Sequence, residues 1–385
     1  ATSNKAAGET DVNFDFSDDQ KALRDQASRF LKDRCPPKAV RRILEGGDVF
    51  DRDLWKGVAE MGWTATAIPE EYGGLGLGYL ELCVIAEELG RVVAPIPFAS
   101  SVYLATEAIL LAGSEEQKQK YLPRLAAGEI IGTFANAEGA SSPSPRTIKA
   151  TFKGGKIDGV KTPVADGLAA DFAVVLVRTG DSGDRSLSLA IVDLTAAGVT
   201  RTALKTVDPT RSQAEIKFAG APAELLGAQG EGWSITGQVF DRAAIMLAFE
   251  QVGGSDSCLA MAKDYALGRY AFGRQIASYQ AIKHKLADMY VNTEIARSNA
   301  YYGAWALSTN APELPEAAAG ARISAIQAYD YASKENIQTH GGMGFTWELD
   351  CQLFFRRAKN DALSIGPARV WKEKLVTQLE RKNAA

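Results

Sequence analysis

Histidine is almost missing from this chain: His284 and His340 are the only two in 385 residues. An all-histidine metal site needs more, no HExxH run exists, and a serine–histidine–aspartate triad would have to draw on one of these two. Cysteine is scarce as well. Cys35, Cys83, Cys258 and Cys351 form no CxxC pair and no zinc spacing, so they read as reduced, buried hydrophobes of a cytoplasmic protein. No run of about 18 apolar residues offers a membrane span, and Ala1–Thr10 lack the apolar core of a signal peptide. Residues 1–13 read as a disordered tail. Lys+Arg minus Asp+Glu is 43 − 47 = −4, so no basic excess points to nucleic acid or to an anionic membrane surface. Chemistry here has to lean on carboxylates or on a borrowed cofactor.

What is present is apolar chain in quantity: 46% of residues are hydrophobic and 23% charged, enough for two or three domains at about 150 residues each. Residues 14–131 read as a helical domain. Asp18–Lys32 and Leu80–Leu89 place apolar residues at three- and four-residue spacings, and Ser114 caps a helix that runs through Tyr121 and Leu122. The glycine-rich stretch between Pro69 and Tyr79 fails the GxGxxG spacing and reads as a tight connection between helices. Residues 132–232 change period. Short runs such as Ile130–Ala135, Ile148–Lys153, Phe172–Arg178, Leu187–Asp193 and Ala214–Phe218 alternate with glycine turns, which indicates a β domain, sandwich or barrel. Residues 233–385 return to helix over Thr236–Gly268, Ser278–Ser308, Pro315–Thr339 and Glu348–Gln378, the pattern of a four-helix bundle.

Three stretches of the last domain carry chemistry. Glu250 sits in an apolar helix with Met246, Leu247, Gly253 and Gly254 as its helical neighbours. Desolvation there raises a carboxylate toward the range of a general base, and the glycines leave room for a ligand. An equally direct reading pairs Glu250 with an arginine inside the bundle or at a subunit seam. Arg269 and Arg274 flank Phe272-Gly273 where one helix ends and the next begins. That arrangement suits a pyrophosphate or serves as an ordinary helix end. Gln338-Thr-His-Gly-Gly-Met-Gly-Phe puts three glycines behind a long helix, which allows close backbone approach to a flat ligand or simply turns the chain.

Together these stretches resemble the acyl-CoA dehydrogenase family of flavoproteins over nearly the whole chain. Pro-Glu-Glu-Tyr-Gly-Gly-Leu-Gly at 69–76 resembles its N-terminal signature, and Glu115–Leu125 a further segment. Arg269-x-x-Phe-Gly-Arg with Gln280 resembles the FAD-contacting turn, and Gln338-x-x-Gly-Gly-x-Gly-Phe the C-terminal flavin and subunit motif. The resemblance implies non-covalent FAD held by Arg269, Phe272, Gln280, Gln338, Gly341 and Gly342, with Phe134, Asn136 and Ala137 on the flavin-facing strand. It implies a substrate site at Phe240, Arg242 and Ala243, and a homotetramer or heterotetramer. The implied reaction removes the α-proton of an acyl-CoA thioester while the flavin accepts the β-hydride. Electrons then pass to electron-transfer flavoprotein. None of these steps needs histidine.

The sequence also departs from the family. Its usual glutamate falls on Ile365, which follows Arg356-Arg357-Ala358-Lys359 and cannot take a proton. The alternative position on the first long helix falls on Ala243. Two candidates remain: Glu250, about 10 Å further along that helix, from its surroundings, and Asp241 from a shifted match to a Glu-Arg pair. Ala137, Pro163 and Ala165 stand where the family has side chains toward the flavin ring. The pattern fits a bulky, branched or cyclic acyl group, or an accessory subunit of a heteromeric dehydrogenase that has no base of its own.

Overall fold

The computed structural model describes residues 17–180 and 183–384; the expected N-terminal tail lies outside the described residues. The first domain winds α1 (Asp18–Arg34), α2 (Pro37–Leu44), α3 (Arg52–Glu60) and α4 (Tyr79–Arg91) ahead of a π-helical stretch, Ala99–Thr106. That stretch runs directly into α5 (Glu107–Ala112), and α6 (Glu115–Ala126) follows. Two of the helix starts are capping boxes, at Ser114 as the sequence indicates and at Ser17. Ser17 and Ser114 each accept from the backbone three residues on, and Gln20 and Gln117 return the bond. Between Pro69 and Tyr79 there is a short 3-10 turn and loop, as the glycine spacing indicates.

The strands are β1 (Gly132–Ala135), β2 (Thr151–Lys153), β3 (Lys156–Ala165), β4 (Phe172–Arg178), β5 (Leu187–Asp193), β6 (Val199–Leu204), β7 (Gln213–Pro222) and β8 (Glu224–Leu226). They form one mixed eight-stranded sheet in the order β6-β7-β3-β2-β4-β5-β8, with β1 also paired to β4. β4 and β5 read as continuous apolar runs because they lie at the centre of the sheet, buried along almost their whole length. β3, β6 and β8 are not legible as strands in the sequence. β3 exposes Lys156, Asp158, Val160 and Pro163 while burying Lys161, β6 exposes Thr200, Thr202 and Ala203, and β8 is only three residues long.

The last domain holds α7 (Gly232–Gly268), a small hairpin of β9 (Tyr270–Ala271) and β10 (Arg274–Gln275), α8 (Gln280–Ser308), α9 (Leu314–His340), α10 (Cys351–Leu363) and α11 (Ala368–Ala384). The expected helix Glu348–Gln378 is therefore two helices. Ser364 ends α10, Ile365 and Gly366 take φ of 51° and 107°, and Pro367 cannot continue the ladder. α7 is the central helix, sandwiched between α4, α8 and α9. An ionic network ties three of these together. Arg297 of α8 reaches Glu87 of α4 at 2.7 Å and Asp256 of α7 at 2.5 Å, and Arg91 of α4 reaches Asp256 at 2.8 Å. All four cysteines are free and buried. Among the described residues no helix is long and apolar enough to cross a membrane, and no group of metal-ligating side chains is assembled.

Candidate active site

The middle sheet meets the bundle where Phe134 of β1 and Phe240 of α7 pack edge to face, ring centroids 5.6 Å apart. The residues after Phe240 then diverge around α7. Asp241 is buried and bonded to Lys374 of α11; burial raises its carboxyl above the usual range, with Lys374 opposing. Arg242 turns the other way. Its Nη1 donates to the Tyr79 hydroxyl at 3.2 Å, and its guanidinium lies 5.6 Å over that ring. The Tyr79 hydroxyl donates to Glu107 at 2.9 Å. Glu107 opens α5 almost fully buried, and burial pushes its carboxyl up to about 7, with Arg242 and the Tyr79 bond only partly offsetting it. Ala243 is buried and offers only a methyl group.

Glu250 is 1% exposed, and the apolar setting expected from its helical neighbours is not what surrounds its carboxylate. Arg211, from the loop between β6 and β7, bonds it directly, and Arg357 of α10 stands 3.7 Å away. This is the arginine pairing that the sequence left open. Arg357 also donates to Asp208 at 2.7 Å and to the Thr210 hydroxyl at 2.8 Å. Burial would lower its pKa, but Asp208, Asp361 and Glu250 together hold it above the ordinary arginine value.

The glycines beside Glu250 do not provide ligand space, contrary to expectation. A methyl group on Gly253 would overlap the Glu87 carbonyl of α4, and one on Gly254 would overlap the Tyr329 ring of α9. Gly90 of α4 lies as tightly against the Glu250 carbonyl. These positions are small because α4, α7 and α9 pack at backbone distance.

The turn that carries Ile365 is pinned from behind. Arg322 of α9, fully buried, donates to the carbonyls of Asp361 and Ser364, the latter at 2.8 Å, and to the Gln251 side chain at 2.5 Å. The turn thus holds a β-branched residue at positive φ, a costly conformation that its surroundings impose. One helical turn earlier, Asp361 is 1% exposed, and burial together with Glu250 pushes its carboxyl up to about 7. Neither of its oxygens has a hydrogen-bond partner among the described residues.

The residues that the resemblance assigns to FAD lie in two exposed places and one half-buried one. Arg269 ends α7, Phe272 stands on the hairpin at 98% exposure, and Gln280 opens α8, whose first amides face outward. Gln338, Gly341 and Gly342 lie at the exposed end of α9, and a Cβ on either glycine would meet nothing within 4 Å. Asn136 and Ala137 follow β1, where the Ala137 carbonyl accepts from the Thr162 amide at 2.9 Å. Glu138, next in the chain, accepts from Lys161 at 2.7 Å, from the Lys149 amide at 2.7 Å and from the Ala150 amide at 3.0 Å. An arginine, a helix start and open glycine backbone fit the nucleotide end of FAD. Ala137, Pro163 and Ala165, which the resemblance sets toward its ring, carry no side-chain hydrogen-bonding group.

Sequence reasoning missed Glu107, Asp361, Arg211 and Arg357. Glu107 met the criterion that singled out Glu250, an acid in a largely apolar stretch, whereas Asp361 follows Arg-Arg-Ala-Lys-Asn and is hidden from that criterion. The two arginines approach from distant parts of the chain and gave no local signal.

Residues 17–129 match the family model described as the acyl-CoA dehydrogenase N-terminal domain, and residues 230–378 match the acyl-CoA dehydrogenase C-terminal domain. The chain is 31% identical over 356 residues to acyl-CoA dehydrogenase IpdE2 of Mycolicibacterium smegmatis, covering 92% of this chain and 96% of that protein. Butyryl-CoA dehydrogenase from Megasphaera elsdenii superposes with a TM-score of 0.90 at 26% identity, covering 96% of this chain and 100% of that one. A variant of the steroid ACAD Tcur3481-Tcur3483 superposes with a TM-score of 0.85 at 26% identity, covering 95% and 99%.

Proposed function

Because the chain belongs to the acyl-CoA dehydrogenase family, whose members are FAD flavoproteins, we propose that it dehydrogenates an acyl-CoA thioester to the 2-enoyl-CoA. The acyl group on this reading is bulky, branched or cyclic, and electrons leave to electron-transfer flavoprotein. The observation that carries the reading is the family match over residues 17–129 and 230–378, the two helical parts that flank the β domain. The likeness to a steroid enzyme supports a bulky acyl group. Bound FAD supplies the hydride acceptor. On this reading Arg269, Gln280 and the Gln338–Gly342 turn hold the nucleotide end, Phe134 and Asn136–Ala137 line the ring, and Phe240, Arg242 and Ala243 border the thioester. Phe272 and Phe345 stand 98% and 81% exposed beside these motifs, which supports burial against further subunits of a homotetramer or heterotetramer.

Proton removal is where the chain differs. Glu250 remains the first candidate and Asp241 the second, yet each carboxylate is already bonded to a cation. That observation supports a second reading: an accessory subunit of a heteromeric dehydrogenase, binding ligand or partner without a base of its own. Purified chain separates the two. Flavin that co-purifies and bleaches on adding acyl-CoA supports dehydrogenation, and a colourless preparation overturns it for this chain alone. Bleaching undiminished in Glu250→Gln removes Glu250 as base, and bleaching abolished only in Asp241→Asn selects Asp241. The pinned turn makes a gain-of-function test available as well. Ile365→Glu should speed flavin reduction by about a hundredfold or more, the usual contribution of a positioned base.

A further inference from the structure

The segment that joins α9 to α10 is fastened to the first domain. Trp347 donates from Nε1 to Glu45 at 2.9 Å, and Arg41 donates to the Leu349 carbonyl at 2.9 Å and to Asp350 at 2.7 Å. These bonds reach α2 and its C-cap residue, 302 to 309 residues earlier in the chain. The Arg41 and Arg356 guanidiniums lie 5.6 and 5.8 Å from the Trp347 ring centroid, within the range of cation–π attraction. Arg356 of α10 also donates to the Val207 carbonyl at 2.7 Å, in the loop between β6 and β7. Groups from all three domains therefore meet around one indole. At both ends of the contact, local helix chemistry gives way to it. Asp350 is the N-cap of α10, where an aspartate ordinarily accepts from amides of the first turn, yet its side chain makes no such bond and goes to Arg41. Glu45 is an acid at the C-terminus of α2, where the helix dipole disfavours it, and Trp347 supplies its donor.

Directly before Trp347 lies the glycine turn Gly341–Phe345, whose open backbone fits the nucleotide end of FAD. Gly341 takes φ of 61°, and a Cβ on Gly341 or Gly342 would meet nothing within 4 Å. On its α9 side the turn is fixed. A Cβ on Gly344 would stand 2.4 Å from the Ile337 carbonyl, and the His340 ring packs on Tyr265. On the other side Thr346 closes the turn onto the Met343 carbonyl, its amide at 3.0 Å and its hydroxyl at 2.8 Å, and Trp347 follows. Glycine backbone loses much conformational freedom when a ligand orders it, and fixing it beforehand removes that cost from binding.

We infer that Trp347, held by Arg41, Arg356 and Glu45, is a positioning residue for the cofactor, which keeps the Gly341–Phe345 backbone ready for FAD and makes flavin retention depend on α2. The inference rests on FAD as the cofactor of the family and not on dehydrogenation, so it is read without turnover. Serial dilution of the purified holo chain, with free FAD followed by its fluorescence, gives the dissociation constant. Thermal melting with and without added FAD and light scattering accompany it. Trp347→Ala should weaken FAD binding about tenfold or more, through loss of a hydrogen bond and the cation–π contacts, and should shrink the rise in melting temperature that FAD confers. The size of the species should not change. Arg41→Gln should weaken binding in the same direction. Trp347→Phe loses the Nε1 bond but keeps a ring beside the guanidiniums, and should retain most of the affinity. Gly253→Ala, which strains the α4–α7 contact and leaves Trp347 untouched, should lower the melting temperature without changing FAD affinity. Affinity unchanged in Trp347→Ala or in Arg41→Gln overturns the inference. So does a Trp347→Phe variant no better than alanine, an equal loss in Gly253→Ala, a loss that comes only with smaller species, or a parent chain that holds no flavin. Flavin held as expected but not bleached by acyl-CoA overturns dehydrogenation alone.

Discussion

Asp361 and Glu107 are acids whose carboxyls burial pushes up to about 7, and both are placed where the native fold prefers them protonated. Their unfolded values lie near 4. The native state therefore binds more protons than the unfolded chain between about pH 4 and 7. The stability they contribute is present in full below that window and is lost as pH rises through it. The groups facing Asp361 are Glu250, Arg211, Arg322 and Arg357; those facing Glu107 are Arg242 and Tyr79. Urea unfolding at a series of pH values should show stability declining across this window. Asp361→Asn should flatten part of the decline and raise stability at pH 8 by on the order of 2 kcal/mol. Adding Glu107→Gln should flatten more of it. A decline unchanged in both variants would show that neither acid is responsible.

At the scale of elements, α7 is decisive, and its glycines show why composition alone misleads. Gly253 was legible as a small residue beside an acid, which is equally compatible with a ligand cleft and with close helix packing. The structure places it against the carbonyl of Glu87, with Gly90 in the reciprocal position on α4. Gly253→Ala should cost about 2 kcal/mol or more, because two helix backbones must separate to admit one methyl group. Guanidinium unfolding measures it. A neutral or stabilising substitution, the ordinary result for alanine in a helix, would contradict the backbone contact. The other informative element is the break between α10 and α11. Ser-Ile-Gly-Pro signals a helix end in sequence, yet the long charged and apolar pattern on either side reads through it. Only the Arg322 bonds to the carbonyls of Asp361 and Ser364 show how the break is held.

For the whole molecule, large apolar side chains stand exposed at the end of the bundle where the C-termini of α7 and α9 meet, the Tyr265 and His340 rings 4.2 Å apart. Phe272 on the hairpin and Phe345 with Trp347 after α9 are exposed at the motifs expected to hold FAD, while most other aromatics are buried or half-buried. Isolated exposed apolar residues are ordinary, but patches at ligand motifs mark surfaces that are covered in the working assembly. Phe272→Ser with Phe345→Ser should shift the chain toward smaller species in light scattering and weaken flavin retention together. Loss of neither would place the assembly surface elsewhere.

Local order was largely written in the sequence. Capping boxes at Ser17 and Ser114, the buried runs of β4 and β5 and the long period of α7 to α9 depend on neighbours in the chain, so a single sequence shows them. The family was legible for a related reason, since its motifs are short runs at turns and helix starts. The absences were informative too: two histidines, no metal spacing and an isoleucine where the resemblance expects the base. Only the tertiary structure decided what each buried acid meets. Arg211 and Arg357 reach Glu250 from 39 and 107 residues away in sequence, and Tyr79 reaches Glu107 across α4, a turn and a π-helical stretch. A buried charge is governed by the few ångströms around it. Folding assembles that environment from distant segments, and no local pattern encodes it.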